Sequence, residues 1–249
     1  AVIALFVNEM QRLAKVPLLV ADNFEGGAGY VLFSSTRLPL GMSIGATGDE
    51  RNAYEAAKLT ALEGRAIGVN VNFYPVADVQ NNPQNPIINI RSFGEDPDRV
   101  SAFVRAYIRG AQENGQIATA KHFPGHGDVA SDSHLEMPVL DVSPERLESV
   151  ELPPFRAAVA EGVDAVMSAP ARGTAPADLT ITGDPACCTL WSLLGFPAVA
   201  LPMGLAAHRM PLGPQLPSTP GGAASFCAVA AWVERRPPSF DLPEIVVGQ

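Results

Sequence analysis

Short apolar runs alternate with segments of helical periodicity along the first two thirds of the chain. Buried strands are predicted at 16–22, 69–78, 116–123 and 163–169, and helices at 49–68, 97–115 and 143–162, the last interrupted at Pro153-Pro154. Such alternation is typical of a parallel sheet, either open or closed into a β/α barrel. We therefore predict an α/β domain over residues 1–169, with 1–6 as a strand remnant or the start of a helix.

The pattern changes after residue 169, so residues 170–249 are predicted to form a separate C-terminal segment. Its beginning is rich in Pro, Gly, Ala and Thr, as expected of a linker or long loop. A strand is predicted at 193–204, a turn-rich stretch at 211–222 and a helix at 223–236. This segment is less regular than the first one, and the order of its elements does not define a fold.

Polar residues follow the predicted strands at their carboxyl ends, where Asp22, Asp78, Lys121 and His122 stand. In a β/α barrel that edge carries the active site. The simpler interpretation is that loops are polar in general, and the pattern alone leaves both open.

Composition and charge narrow the class of protein. Hydrophobic residues make up 47% of the 249 residues, enough for a large core, and the net charge is −9 without any run of Lys or Arg. Neither nucleic acid nor an anionic membrane is expected as a partner. Three cysteines, an odd number, indicate a reducing compartment. Because the first residues lack a basic front and no apolar run reaches the roughly 18 residues of a membrane span, we expect a cytoplasmic protein.

The stretch "KHFPGHGDVASDSH", residues 121–134, contains three of the four histidines. Proline and glycine at 124, 125 and 127 predict a tight irregular turn that directs nearby side chains inward. Those side chains are His126, Asp128, Asp132 and His134. With Asp132 bound to one nitrogen of His134, the other nitrogen could exchange a proton near neutral pH.

Two other roles are compatible with the composition of this stretch. His122 and His126 have the spacing of two metal ligands on a helix, but Pro124-Gly125 between them prevents that helix, so no metal is predicted. A structural loop, in which the histidines bind backbone groups, is the other alternative. No organic cofactor is predicted.

Residues 121–134 closely resemble the signature loop of family 3 glycoside hydrolases, in the bacterial β-N-acetylhexosaminidase branch, and 72–97 resemble the strand and loop before it. The resemblance implies that His134 is the acid/base and that Asp132 orients it. It also implies a set of sugar-binding residues, and we assign His126 and Asp128 of the same turn to that set. The set comprises Asp22 (or its neighbour Asn23), Arg91, Lys121, His122, His126 and Asp128.

The chain departs from the family where the carboxylate nucleophile is expected. In the matching segment, 195–205, Pro202 and Met203 stand in place of Ser-Asp. A retaining mechanism needs a second group opposite the acid/base. Asp164, Asp178 or Asp184, water, or the acetamido group of the substrate could supply it.

Residues 182–235 resemble the C-terminal end of amidase-signature enzymes, which implies a packing module because no Ser-Lys catalytic pair accompanies it. The predicted fold is therefore an α/β, incomplete or rearranged TIM-type barrel, with this segment completing or flanking the sheet. Exchange of segments between two chains would give a homodimer.

The predicted function is the release of terminal β-linked N-acetylglucosamine from a small-molecule or oligosaccharide substrate. A β-glucosidase of the same family and a catalytically impaired sugar-binding protein are the alternatives. Amide hydrolysis by the C-terminal segment is less well supported.

Overall fold

The computed structural model describes residues 2–15, 17–130 and 142–168, and the backbone of four short strands beyond them. The helices are α1 Val2–Leu13, α2 Gly41–Ala46, α3 Arg51–Ala66, α4 Pro97–Gln112, α5 Pro144–Arg146 and α6 Pro153–Ala160. Single turns of 3₁₀-helix occur at Ala28–Tyr30 and Asn89–Arg91, and a π-helical turn at Leu147–Glu151. The strands are β1 Ala21–Asp22, β2 Val71–Asn72, β3 Ile117–Phe123, β4 Ala165–Ser168, β5 Ala198–Ala200, β6 Gly204–Leu205, β7 Pro211–Leu212 and β8 Gln215–Pro217.

The first four strands form a parallel sheet in chain order, as the alternating pattern predicts. Ala21 pairs with Val71, Val71 with Ile117, and Thr119 with Ala165. Strand β8 then pairs antiparallel with β4, and β5 antiparallel with β8. All four parallel strands therefore bring their carboxyl ends to one edge, where the chain turns into loops.

The core lies between the middle strands and α4, which packs against α3 and α6. Helix α4 begins where Asp96 accepts a hydrogen bond from the Arg99 amide and Pro97 occupies the first turn, both favourable at a helix start. Its buried face contributes to a group of aromatic rings, with Tyr74 and Tyr107 at 4.6 Å between centroids. This packing fixes β2 and β3 and the loops that leave them.

Several predicted boundaries differ from the observed ones. Of the stretch 1–6, predicted as a strand remnant or the start of a helix, residues 2–6 lie in α1. The strand predicted at 16–22 is reduced to β1. Two short strands, β7 and β8, lie in the stretch 211–222 that was predicted to be turn-rich. The predicted helix at 223–236 lies outside the described residues. Among those that are described, no helix has the length and apolar character needed to traverse a bilayer.

Candidate active site

Glu25 organises a buried ionic cluster at the carboxyl edge of the sheet. It follows β1 and is 5% exposed. Arg91 binds its carboxylate with two hydrogen bonds, from Nε at 2.8 Å and from Nη2 at 2.7 Å, and Lys121 Nζ lies 2.8 Å from Oε1. Burial raises the pKa of Glu25, but the Arg91 hydrogen bond and the Lys121 charge outweigh it and lower that pKa to about 2. Glu25 is therefore ionised and holds both cations in place.

Asn23, rather than Asp22, joins this cluster. Lys121 Nζ donates to Asn23 Oδ1 at 2.7 Å, and Asn23 is exposed at the surface of the site. The half-buried Asp22 accepts a hydrogen bond from the Asn23 backbone amide at 2.7 Å. Of the two alternatives that the sequence left open, the geometry favours Asn23 as the side chain beside Lys121.

Asp78 is the second buried carboxylate, and it binds the histidine loop, the turn that contains His122 and His126. It is fully buried and accepts hydrogen bonds from the His126 amide at 2.7 Å, from the His122 amide at 3.2 Å and from His122 Nδ1 at 2.7 Å. Burial raises its pKa, yet the electrostatic interaction and hydrogen bond with the His122 ring, together with the nearby His126, leave the pKa below its ordinary value. Asp78 thus aligns the backbone of the turn and the ring of His122.

His122 lies between Asp78 and Arg91. Its Nδ1 contacts the Asp78 carboxylate, and its Nε2 lies 3.4 Å from Arg91 Nη2. A carboxylate at one nitrogen and a guanidinium at the other favour the neutral tautomer with the proton on Nδ1. Burial lowers the pKa of His122 further than Asp78 raises it. The ring is therefore a neutral, half-buried polar group at the edge of the cluster.

The turn after β3 is held by backbone contacts that only small residues permit. Gly125 has φ +138° and donates its amide to the His122 carbonyl at 2.9 Å. A Cβ at Gly127 would overlap the Val79 carbonyl. Asn85 Nδ2 donates to the carbonyls of His126 and Gly127 at 2.7 and 3.0 Å. The peptide bonds Lys121–His122 and Phe123–Pro124 are cis.

The structure brings together most, but not all, of the sugar-binding residues predicted from the sequence. Arg91, Lys121 and His122 lie in one cluster, and the His126 ring centroid is 5.9 Å from that of His122. Asp128 is engaged differently, because its Oδ2 lies 3.4 Å from Arg146 Nη2. The predicted acid/base His134 and its partner Asp132 lie outside the described residues.

Two functional carboxylates were missed by the sequence reasoning. The sequence places Asp78 at a predicted strand end without indicating a role for it, and it predicts no role for Glu25. A carboxylate between a strand end and the Gly26-Gly27 pair was the available signal for Glu25. Its partner Arg91 lies 66 residues away in the chain, which no local pattern reveals.

Acid is expected to weaken the fold through Glu25. Its pKa is lowered in the folded state, from 4.5 to about 2, so its contribution is present above pH 4.5 and lost as pH falls towards 2. The expected loss is about 3 kcal/mol in the free energy of unfolding, measurable by urea unfolding at several pH values. Glu25→Gln should remove this part of the pH slope, and an unchanged slope in the variant would contradict it.

A parallel α/β sheet whose carboxyl edge carries buried carboxylates, cations and a histidine loop is a β/α domain with its candidate site at that edge. Residues 3–195 match the family model described as "Glycosyl hydrolase family 3 N terminal domain", and the chain belongs to this family.

Similar proteins include enzymes named as a β-N-acetylglucosaminidase/β-glucosidase and as a β-hexosaminidase. The chain is 40% identical over 161 residues to a β-N-acetylglucosaminidase/β-glucosidase of Cellulomonas fimi, covering 65% of this chain and 28% of that protein. It is 42% identical over 168 residues to a β-hexosaminidase of Xylella fastidiosa, covering 64% and 49%. The chain therefore spans half or less of the length of these relatives.

Solved structures show the same likeness. A family 3 β-N-acetylglucosaminidase from Paenibacillus superposes with a TM-score of 0.60 at 43% identity, covering 66% of this chain and 32% of that one. NagZ from Neisseria gonorrhoeae superposes at 0.62 with 33% identity, covering 67% and 51%. A β-glucoside phosphorylase superposes at 0.63 with 34% identity, covering 65% and 30%.

Proposed function

We propose that the protein is a glycosidase that releases terminal β-linked N-acetylglucosamine, with His134 as acid/base and Asp132 orienting it. The observation that carries the proposal is the joint binding of Arg91 and Lys121 by Glu25 beside the histidine loop. The relatives named as β-hexosaminidases and β-N-acetylglucosaminidases support the same reaction and the same sugar.

The charges of the cluster favour a neutral ligand. The two cations, Lys121 and Arg91, are balanced by Glu25 and Asp78, and His122 is neutral. A cluster that is balanced within itself has little attraction for an anion, yet it presents fixed polar groups at its surface. Several hydroxyl groups on one sugar ring, each both donor and acceptor, match such a surface.

The second catalytic group has several candidates, because Pro202-Met203 replaces the family's Ser-Asp: Asp178, Asp184, water and the substrate's acetamido group. Asp164 is left out, because it directly precedes β4 and therefore lies at the amino edge of the sheet, away from the cluster. This replacement favours a second candidate function, sugar binding without turnover. A β-glucosidase is the alternative with turnover, and the relative named for both activities supports it.

The arrangement beyond the described sheet belongs to the same proposal. We propose that β1 to β4 are part of an incomplete or rearranged β/α barrel, and that residues 182–235, with their amidase-like sequence, complete or flank the sheet. Exchange of that segment between two chains would give a homodimer. Sedimentation of the full chain, compared with the same chain truncated after residue 170, tests this: loss of a dimer on truncation is expected.

The function is tested with chromogenic aryl glycosides. Release of nitrophenol from the β-N-acetylglucosaminide, faster than from the β-glucoside, is expected. Assays with and without inorganic phosphate separate hydrolysis from phosphorolysis, the reaction in the name of one structural neighbour. No release from either glycoside, together with calorimetric binding of the free sugar, would replace the glycosidase by the binding protein.

Replacement of Asn23 by alanine is expected to weaken sugar binding about tenfold, because the side chain beside Lys121 is lost at an exposed position. Asp22→Ala is the matched neighbouring variant and should change the dissociation constant of N-acetylglucosamine by less than about twofold. Calorimetry on both variants measures the difference. The opposite order would restore Asp22 as the sugar ligand.

A further inference from the structure

Glu151 is a buried carboxyl group that the proposed mechanism does not use. It is the last residue of the π-helical turn before α6, and it is fully buried. Asn81 Nδ2 donates to its Oε1 at 3.0 Å, and Arg146 Nη2 lies 4.0 Å from the same oxygen. Its Oε2 has no hydrogen-bond partner among the described residues. Burial of a carboxyl oxygen without a hydrogen bond costs free energy.

Gly125 is the part of the histidine loop that Glu151 touches. A Cβ at Gly125 would lie 2.8 Å from both the Cβ and the Oε2 of Glu151. Gly125 is itself the turn residue whose amide binds the His122 carbonyl. The Glu151 side chain therefore packs directly against this turn at Gly125.

Other groups hold the same loop from different sides. Asp78 binds the His122 and His126 amides, and Asn85 binds the carbonyls of His126 and Gly127. Arg146 links Asp128 to Glu151, because its Nη2 lies 3.4 Å from Asp128 Oδ2 and 4.0 Å from Glu151 Oε1. Without Glu151, the turn would lose the side chain that lies against Gly125.

We propose that Glu151 is a positioning residue that fixes the Gly125 turn, and through it the orientation of His122 and His126 at the sugar site. This inference deepens the proposed function and rests on it for the role of the loop. Burial raises the pKa of Glu151, more than Asn81 and Arg146 lower it, which accords with a carboxyl retained for its place and shape.

The experiment uses the full chain and reads the loop directly, without turnover. Amide exchange at Gly125 and the imidazole ¹⁵N signals of His122 are compared by NMR in the wild type, Glu151→Ala and Glu151→Gln. Glu151→Ala should raise exchange at Gly125 about tenfold or more and shift the His122 signals. Glu151→Gln keeps the shape and the acceptor for Asn81, so it should restore both.

Two further variants make the result decisive. Asp164→Asn removes a carboxyl group that lies just before β4. Burial also raises the pKa of Asp164, and its carboxylate accepts a hydrogen bond from the Ala118 backbone amide. This variant should leave the Gly125 exchange and the His122 signals unchanged. If Glu151→Ala does not fold, Asn81→Ala takes its place as the test variant. It removes only the described hydrogen bond to Glu151, so it should raise amide exchange at Gly125 to a smaller extent. Wild-type exchange and imidazole signals in the folded Glu151→Ala variant, or otherwise in Asn81→Ala, would overturn the proposal.

Turnover is measured separately, so that the two proposals fail separately. If the wild type cleaves the aryl glycoside, Glu151→Ala should lower kcat/KM about tenfold and Glu151→Gln should recover it. Unchanged kcat/KM in Glu151→Ala would overturn the positioning role. Absence of wild-type cleavage contradicts the glycosidase alone, and the NMR comparison then decides the role of Glu151.

Discussion

Glu25→Gln is expected to lower the free energy of unfolding at neutral pH by about 3–5 kcal/mol, because it leaves buried charge without its partner. Glutamine has the shape of the native side chain, so packing is conserved while the negative charge is lost. Lys121, 3% exposed, would then lie beside Arg91 with its closest counter-charge removed. Urea unfolding at neutral pH measures the effect.

Two variants separate the charge effect from a general loss of packing. Glu148→Gln removes an exposed carboxylate paired with Arg156 and should cost at most about 1 kcal/mol. Glu25→Gln combined with Lys121→Met should cost less than the sum of the single changes, since both charges leave together. If the urea concentration at the midpoint of unfolding is the same for Glu25→Gln and the wild type, the ionic cluster does not stabilise the site as described.

His134→Ala is expected to lower the turnover of an aryl β-N-acetylglucosaminide by about 10²–10⁴-fold, the usual contribution of a general acid/base. The KM should change little, because the proposed sugar-binding groups are Lys121, Arg91 and Asn23. Asp132→Asn should lower turnover less, since the imidazole remains but loses the carboxylate that orients it. Steady-state kinetics on the three proteins measure these effects.

The leaving group provides the sharper test of this role. A proton donor is needed most when the departing alcohol is a poor leaving group, so His134→Ala should lose more activity on an alkyl than on a dinitrophenyl glycoside. His208→Ala is the matched control, because His208 is the one histidine outside residues 121–134. Equal losses on both glycosides, or undiminished turnover, would remove the assigned role.

The sequence predicts α3, α4, α6 and the order of the first four strands, because their signals are local, whereas α2 was not predicted. Helix α4 was expected at 97–115 and is found at Pro97–Gln112, since Asp96 and Pro97 mark its start. Strand β3 was expected at 116–123 and is found at Ile117–Phe123. Both signals lie within the element itself, so no tertiary contact was needed to read them.

Strand β1 is short for a reason that periodicity does not show. The Asn70 side chain accepts a hydrogen bond from the Val20 amide at 2.7 Å and donates to the Leu18 carbonyl at 3.2 Å. Asn72 likewise accepts from the Phe24 amide at 3.0 Å. Side-chain amides thus replace part of the backbone ladder at both ends of β1, although the run of apolar residues predicts a longer strand.

The site was predicted in part because its cations stand in recognisable motifs and their partners do not. Lys121 and Arg91 were found through the resemblance of their segments, and Asn23 only as an alternative to Asp22. Glu25 and Asp78 gain their roles from parallel pairing, which brings the ends of β1, β2 and β3 to one edge. Such a meeting of distant residues is a property of the sheet, not of any one segment.

Calorimetric titration of N-acetylglucosamine into the wild type and into Lys121→Met tests most directly the claim that this edge of the sheet binds a sugar. We predict saturable binding by the wild type at millimolar sugar or below, and loss of that binding in a Lys121→Met variant whose circular dichroism shows it to be folded. Equal binding by both proteins, or no heat with the wild type, would contradict the account.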